Sequence, residues 1–263
     1  MWGPARLLVP PECQPFGFAC AALHVFSDDV CDTGPAAARR RRFEAWRREV
    51  RSALETGDSR HPVVRAYLHA SGRRGMSHRW LLSYLDGALA DLDFAGFVDE
   101  AAYQRYVETL TWPALMLTAG LTPRLVPEDA FASSWRLVAD TVQRTDFLMD
   151  LRHDLRDGRL YLPLSDLERF EVTPADLAAG RDTPAVRSLI AASARRGLAS
   201  LGSAQRVVEE ISPPYRPVTR FLLDLCHHRL RTIAATGAAV TRRKFRDEPV
   251  ACLRLLARAR HTG

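Results

Sequence analysis

Apolar residues recur at intervals of three and four along almost the whole chain, and this spacing restricts the fold more than any other feature. The stretches from Leu81 to Leu92 and from Val186 to Leu198 each carry such a stripe, which is the pattern of a helix with one buried face. Strand-like alternation is nearly absent, and Leu160 to Leu162 is the single short candidate. The sequence therefore predicts an all-α fold.

Turn-forming residues divide this pattern into separate helices. The predicted helices span residues 16–32, 38–56, 62–70, 77–93, 99–118, 127–156, 165–170, 174–179, 184–209, 215–235 and 247–259. Thr173 and Thr183 each precede a proline and are expected to be N-caps, and Ser165 to Glu168 has the form of a capping box. None of the breaks is long enough to link two domains, so residues 1–263 are predicted to form one helical domain.

Composition and the lack of certain motifs argue against several classes of function. The chain has 37 basic and 31 acidic residues for a net charge of +6, and Lys244 is its only lysine. The single basic run, Arg39 to Arg42, has Glu44 and Glu49 beside it, whereas nucleic-acid binding requires clustered charge with aromatic platforms. No phosphate-binding loop, dinucleotide fingerprint or nucleophile elbow occurs. We therefore expect no nucleic-acid partner and no ATP, NADPH or acyl-enzyme chemistry.

Cysteine usage and hydropathy indicate a cytoplasmic protein. Five cysteines form no CxxC pair, so neither a disulfide framework nor a structural zinc site is expected. The longest apolar stretch, Phe16 to Phe26, is too short to span a bilayer, and it lacks the flanks of a signal peptide. Stable membrane insertion is not expected, and the sequence leaves a homodimer open.

Two acidic clusters carry the strongest chemical signal. Asp28 and Asp32 lie four residues apart, with Asp29 beside them, and Asp146, Asp150 and Asp154 form a stripe over two helical turns. A solvated acidic helix face is the alternative interpretation. However, the second cluster lies among Phe147, Leu148, Met149 and Leu151, and carboxylates facing a cleft repel one another by about 4 kcal/mol per pair at 4 Å and an effective dielectric of 20. Oxygen ligands on rigid helices suit Mg²⁺, so the clusters predict Mg²⁺ ions that hold a diphosphate.

The same residues resemble a known family. Asp28 to Asp32 is similar to the first aspartate-rich motif of the squalene and phytoene synthases, and Asp146 to Pro163 resembles their second motif with its trailing Gly-Arg-x-Tyr-Leu-Pro. Further similar segments are Leu7 to Glu12, Asp86 to Asp91, Tyr106 and Thr241 to Lys244. The resemblance implies an all-helical isoprenoid-synthase fold with a central cavity, in which Mg²⁺ assists the ionisation of an allylic diphosphate.

Clusters and resemblance together give a set of candidate site residues. The expected metal ligands are Asp28, Asp29, Asp32, Asp146, Asp150 and Asp154, and the expected catalytic residues are Asp28, Asp32, Asp150, Asp154 and Tyr106. The expected substrate-binding residues are Trp112, Tyr161, Arg152, Arg242, Arg243 and Lys244.

Departures from the family pattern bear on the reaction. Val25 and Met149 stand where members that join two prenyl diphosphates have arginines, and Asp146 replaces an asparagine. Trp112 and Pro113 interrupt what is a run of small residues in those members. Because arginine contacts are strong diphosphate contacts, their loss favours a single diphosphate site. A tryptophan in the pocket wall would shorten the space for the prenyl chain.

These observations favour a Mg²⁺-dependent prenyltransferase that moves a short allylic group, such as dimethylallyl, onto an aromatic small molecule. The resemblance includes squalene-synthase-like enzymes that prenylate carbazole-type aromatics in bacterial specialised metabolism, which is why an aromatic acceptor is expected. A head-to-head synthase of the phytoene or squalene type is the alternative. A non-catalytic partner subunit is a third hypothesis, and the intact carboxylates argue against it.

Overall fold

The computed structural model describes residues 6–261, and this part of the chain is helical without any strand. The helices are α1 (Gln14–Asp32), α2 (Ala36–Thr56), α3 (Pro62–Arg74), α4 (Arg79–Asp91), α5 (Glu100–Tyr106), α6 (Trp112–Ala119), α7 (Glu128–Arg156), α8 (Leu164–Arg169), α9 (Pro174–Ala178), α10 (Pro184–Ala204), α11 (Arg216–Thr236) and α12 (Pro249–His261). Short 3₁₀ turns occupy Pro11–Cys13, Gln205–Val208, Pro213–Tyr215 and Gly237–Thr241. The all-α prediction is confirmed. Within residues 6–261, no helix has the length and apolar character needed to cross a membrane.

The predicted helix boundaries agree with the structure to within a few residues, with one informative difference. The helix expected over 99–118 is divided into α5 and α6 by a π-helical turn, Val107–Thr111. A π turn inserts an extra residue into the helical repeat, and such turns are common at functional sites. The capping predictions are confirmed for Thr173 and Thr183, whose side chains accept from the backbone N–H groups of Asp176 and Val186.

The capping box predicted at Ser165 is wrong. Helix α8 begins at Leu164, directly after Pro163, so Ser165 already lies inside the helix, and no side chain caps this end. Pro163 occupies the N-cap position with an extended backbone, and Ser165, two residues further on, comes too late to cap the helix.

The acidic helices α1 and α7 bury their apolar faces in two separate hydrophobic cores. Cys20 and Leu23 of α1 are fully buried in a cluster with side chains of α2, α3 and α4. Leu148 and Leu151 of α7 are buried in a second cluster with α10 and α11. Residues four apart share a helix face. When the apolar face of each helix is buried, Asp28 of α1 and the aspartates of α7 are left on the opposite face of their own helix.

Helix α4 crosses the π turn at very short range, and Gly87 makes this approach possible. A Cβ atom at Gly87 would lie 2.1 Å from the carbonyl oxygen of Thr109. Since this neighbour is backbone, it has no flexible end that could move aside. The glycine thereby fixes the distance between α4 and the π turn. Asp91 of α4 and Thr111 of the π turn line the same cavity.

We expect Gly87→Ala to destabilise the protein by about 1–3 kcal/mol, the usual cost of overpacking a well-filled site. Gly72→Ala is the matched control, because Gly72 also lies within a helix, yet a Cβ there would meet nothing within 4 Å. The control is expected to gain about 0.5–1 kcal/mol, since alanine is the better helix former. Urea unfolding of both variants measures the difference, and a Gly87→Ala variant as stable as Gly72→Ala would show that α4 and the π turn separate freely.

Candidate active site

A cavity of about 720 Å³ lies between α1, α4, α6, α7 and α11. Residues of α1 line it from Gln14 to Asp32, which corresponds to about 27 Å at 1.5 Å per helical residue. Its middle is mainly apolar and is lined by Ala21, Leu110, Ala114, Leu115, Val142 and Leu222. An elongated apolar cavity with polar groups concentrated at particular places is typical of a small-molecule site.

Six aspartates line one end of this cavity, which we call the acidic end. They are Asp28 and Asp32 from α1, Asp91 from α4, and Asp146, Asp150 and Asp154 from α7. The structure therefore brings together the two acidic clusters, which are more than a hundred residues apart in the sequence. Asp91 was not among the expected site residues, although the segment Asp86 to Asp91 carries part of the family resemblance.

Asp29, in contrast, is not among the residues that line the cavity, and its role as a metal ligand stays a prediction. Its side chain is exposed and accepts a hydrogen bond from the Thr33 hydroxyl at 3.0 Å. Consecutive helix residues point about 100° apart, so Asp29 cannot share the face of Asp28.

Asp28 is held in place by two side chains that sequence reasoning missed. The Tyr84 hydroxyl donates to Asp28 Oδ1 at 2.6 Å, and His24 Nε2 lies 3.5 Å from Asp28 Oδ2. Burial, followed by the charge of Asp28 and this hydrogen bond, holds the pKa of Tyr84 well above its ordinary value of 10. Tyr84 therefore stays protonated and acts as a fixed donor that orients the carboxylate.

Asp91 and Tyr106 form a second hydrogen-bonded unit at the acidic end. The Tyr106 hydroxyl interacts with the Asp91 carboxylate, while Asp91 Oδ1 is buried without a hydrogen-bond partner in the described structure. Burial raises the pKa of Asp91 to about 6, against the opposing charge of Arg159 and the hydrogen bond from Tyr106. Tyr106 thus lines the cavity where the resemblance placed it, in contact with a carboxylate.

The carboxylate charge at the acidic end is poorly compensated. Desolvation, and then the charge of Asp150, raises the pKa of both Asp146 and Asp154 to about 6 from the ordinary 3.8. No three ligating side chains within residues 6–261 converge on one point, and the six carboxylates come to the cavity from three different helices. This donor set fits Mg²⁺, which takes one or two carboxylates and completes its shell with water and substrate oxygens.

Arg159 is the arginine that lines the acidic end, and it was not assigned as a site residue from the sequence. Its guanidinium hydrogen-bonds to Tyr161 and lies near Asp32 and Asp91. It comes three residues after α7, where Gly158 adopts a φ of +73°, a conformation that favours glycine. This turn places Arg159 among the residues that line the cavity. Its signal in the sequence is a glycine directly after the last acidic residues.

The basic residues predicted to bind substrate do not line the cavity, namely Arg152, Arg242, Arg243 and Lys244. Arg152 follows Asp150 by two residues, which places it about 200° around α7 and away from the acidic face. Arg242 is 45% exposed and pairs with Asp182 at 3.1 Å, and the two residues after it are exposed. In this structure, none of the four is placed to contact a diphosphate at the acidic end.

Trp112 also lies outside the cavity wall, so the short prenyl space inferred from it is not supported. Leu110, Thr111, Ala114, Leu115 and Thr118 line the cavity at helical spacing, and Trp112 is not among the lining residues. Its ring packs on Trp80, with centroids 4.9 Å apart. The indole therefore faces Trp80 of α4 and not the cavity.

Aromatic rings surround the acidic end. Tyr161, a predicted site residue, stacks on Phe147 with ring centroids 4.1 Å apart and on Phe94 at 4.7 Å. Tyr106 packs against Phe147 at 5.8 Å. Tyr106, Phe147 and Tyr161 all line the cavity. Aromatic faces attract cations, so this part of the wall suits a positively charged carbon close to the carboxylates.

The fold and the acidic cavity define an all-helical protein with a carboxylate-lined site inside the bundle, and comparison with known proteins identifies its family. The family model for squalene/phytoene synthase matches residues 5–251. The chain therefore belongs to the squalene/phytoene synthase family, whose members are prenyltransferase-type enzymes of isoprenoid metabolism.

Similar curated proteins are a bifunctional protein CrtB/UppS of Streptomyces coelicolor, a phytoene synthase of Thermus thermophilus and a presqualene diphosphate synthase of Rhodopseudomonas palustris. The first is 29% identical over 194 residues, covering 72% of this chain and 33% of the relative. The second is 30% identical, covering 74% and 68%, and the third is 26% identical, covering 90% and 84%. The chain thus spans about a third of the length of the Streptomyces protein.

Solved structures share the fold. A squalene synthase HpnC from Alicyclobacillus acidocaldarius superposes with a TM-score of 0.81 at 23% identity, covering 90% of this chain and 88% of that one. A dehydrosqualene synthase gives 0.87 at 17% identity, covering 98% and 89%. At these identities the likeness concerns the fold alone.

Proposed function

We propose that this protein transfers a prenyl group from one allylic diphosphate to an aromatic small molecule, such as a carbazole, in the cytoplasm. The observation that carries the proposal is the charge at the acidic end, where six aspartates line the cavity together with Arg159, while the other arginine among the described lining residues, Arg6, precedes α1 at the opposite end. Val25 lines the same cavity, and Met149 packs against the core behind α7. Two diphosphates would double the anionic charge without adding donors, so one diphosphate suits this site.

Each group at the acidic end has a defined task in this mechanism. Asp28, Asp32, Asp146, Asp150 and Asp154 would hold Mg²⁺, which when bound supplies Lewis-acid stabilisation to the departing diphosphate. Tyr84 fixes Asp28, and Arg159 donates to the diphosphate. The apolar middle of the cavity excludes water from the allylic cation, while Tyr106, Phe147 and Tyr161 present aromatic rings to it. The acceptor carbon then attacks the cation from the apolar side, and the proton lost from that carbon passes to the released diphosphate, which restores the aromatic ring.

A head-to-head synthase is the second candidate, and the position of Trp112 favours it. Because this ring lies outside the cavity, nothing in α6 confines the donor to five carbons, and about 27 Å of cavity along α1 leaves room for longer chains. The similarity to a phytoene synthase and to a presqualene diphosphate synthase also supports this candidate. The two functions differ in whether a second diphosphate binds.

Product analysis separates the two candidates. Purified protein is incubated with Mg²⁺ and dimethylallyl, geranyl, farnesyl or geranylgeranyl diphosphate, each with and without carbazole. We expect prenylated carbazole in the paired reactions and no coupled hydrocarbon from any diphosphate alone. The Asp150→Asn variant serves as the control for non-enzymatic alkylation. Presqualene or prephytoene diphosphate formed from a diphosphate alone would overturn the aromatic-acceptor proposal and establish the head-to-head reaction.

A further inference from the structure

A short segment, Gly158 to Pro163, carries both Arg159 and Tyr161 to the cavity, and we call it the return segment. Its first part is fixed to α7, because the backbone N–H of Arg159 donates to the carbonyl oxygen of Asp154 at 2.7 Å. Its other end leads directly into α8, which begins at Leu164. The direction in which Arg159 enters the cavity therefore depends on how the start of α8 is held.

A group of five charged side chains joins α8 to three other helices, and we call it the buried ion network. Three of its members are buried, with exposures of 2% for Asp140, 5% for Arg144 and 6% for Asp166. None of the five is among the described residues that line the cavity, and the proposed reaction does not use them. They come from α5, α7, α8 and α10 and are Glu100, Asp140, Arg144, Asp166 and Arg196.

Hydrogen bonds connect this network from α8 to α7 without interruption. Arg196 donates to both carboxylate oxygens of Asp166, with Nη2 and Oδ1 2.7 Å apart, and its Nη1 lies 3.3 Å from Glu100 Oε2. Arg144 donates to the same carboxylate of Glu100 through both of its terminal nitrogens, and its Nε donates to Asp140 Oδ1 at 3.1 Å. Because bidentate contacts between guanidinium and carboxylate groups have a fixed geometry, the network sets the position of α8 relative to α7.

The aromatic contact of Arg144 supports the start of α8 from a second side. Its guanidinium carbon lies 4.0 Å from the ring centroid of Tyr103, and Tyr103 packs edge-on against Phe97 with centroids 5.5 Å apart. The carbonyl oxygen of Phe97 accepts from the backbone N–H of Leu164 at 2.9 Å. The network therefore holds the end of the return segment through Asp166 and through Leu164.

The composition of the network favours a role in geometry over a role in stability. Three carboxylates face two guanidinium groups within it, and buried ion pairs rarely add more stability than apolar side chains of similar volume. We infer that the buried ion network positions the return segment so that the Arg159 guanidinium meets the diphosphate at the acidic end. Asp166 and Arg196 are thus positioning residues. This inference rests on the proposed contact between Arg159 and the diphosphate.

A double-mutant cycle on the affinity for inorganic diphosphate, measured by calorimetry in the presence of Mg²⁺, tests the inference. Asp166→Val/Arg196→Met removes the ion pair without leaving either of its charges buried alone, so this variant should fold. We expect about tenfold weaker binding both for this variant and for Arg159→Ala, and no further loss when the two are combined, because the positioning effect acts only through Arg159. A purely structural effect would instead be additive.

Glu100→Gln is a second variant, which keeps the size of the side chain and leaves two carboxylates facing two guanidinium groups. It should also weaken diphosphate binding, so the inference remains testable if the first variant fails to fold. Asp182→Asn/Arg187→Met is the matched control, because it removes an exposed ion pair near the start of α10, where Arg187 Nε donates to Asp182 Oδ1 at 2.6 Å. The control should bind diphosphate as the wild type does.

Two results would count against the inference in different ways. Wild-type affinity in both Asp166→Val/Arg196→Met and Glu100→Gln, or losses that add to the loss in Arg159→Ala, would overturn the positioning role and leave the diphosphate site intact. An Arg159→Ala variant that binds diphosphate as tightly as the wild type would instead refute the proposed contact, and the positioning role with it.

Discussion

Replacing Asp150 by asparagine is expected to slow prenyl transfer by about 10²-fold or more. Asp150 lies between Asp146 and Asp154 on the face of α7 that lines the cavity, so its loss removes the centre of the proposed Mg²⁺ site. Losing one strong electrostatic stabiliser of a transition state typically has an effect of this size. Initial rates at saturating Mg²⁺ and allylic diphosphate measure it, with the acceptor identified by product analysis.

The same variant should keep its fold, and its metal-free form should be at least as stable as the wild type. The charge of Asp150 raises the pKa of Asp146 and Asp154, so removing that charge should lower both pKa values, as followed by NMR titration of the carboxyl groups. Asp129→Asn is the matched control, because Asp129 also lies on α7 but has a side chain that is 96% exposed. Full activity of Asp150→Asn, or of the wild type in EDTA, would refute the metal-dependent mechanism.

Arg159→Ala should lower the rate by about 10²-fold, with a smaller loss in Arg159→Lys. Among the described residues, Arg159 is the arginine that lines the acidic end, and a charge-assisted contact from it to the departing diphosphate is of the strong kind. Lysine keeps the charge but lacks the bidentate geometry. Steady-state rates, together with the affinity for inorganic diphosphate in the presence of Mg²⁺, distinguish a binding role from a purely structural one.

Arg152→Ala provides the comparison for Arg159. Arg152 lies within the acidic motif itself, yet it does not line the cavity, so this variant should retain wild-type rates and wild-type affinity for diphosphate. A large loss in Arg152→Ala with none in Arg159→Ala would mean that α7 is rotated in solution relative to the structure described here. It would also restore the assignment that the sequence alone suggested.

The sequence predicts which acidic side chains share a helix face, because that depends on helical spacing alone. Asp146, Asp150 and Asp154 lie on one face because they are four residues apart, and this holds wherever α7 packs. Asp29 follows Asp28 directly in the sequence but does not line the cavity, because consecutive helix residues point in different directions. Asp91 and Arg159 could not be assigned from spacing, since one ends α4 and the other follows the Gly158 turn, and only packing brings them beside Asp32.

The sequence by itself determined the helices, most of their ends and the faces that carry carboxylates, because these depend on interactions between residues within a few positions of each other. Only the tertiary structure decided which faces meet. The π turn and the close approach at Gly87 set the rotation of α6, so that Leu115 lines the cavity and Trp112 packs on Trp80 instead. Cys13, Arg74 and Tyr215 are likewise distant in sequence and form their hydrogen bonds only because three segments pack together. Contacts of this kind depend on how whole helices are oriented, and no local pattern of residues records that orientation.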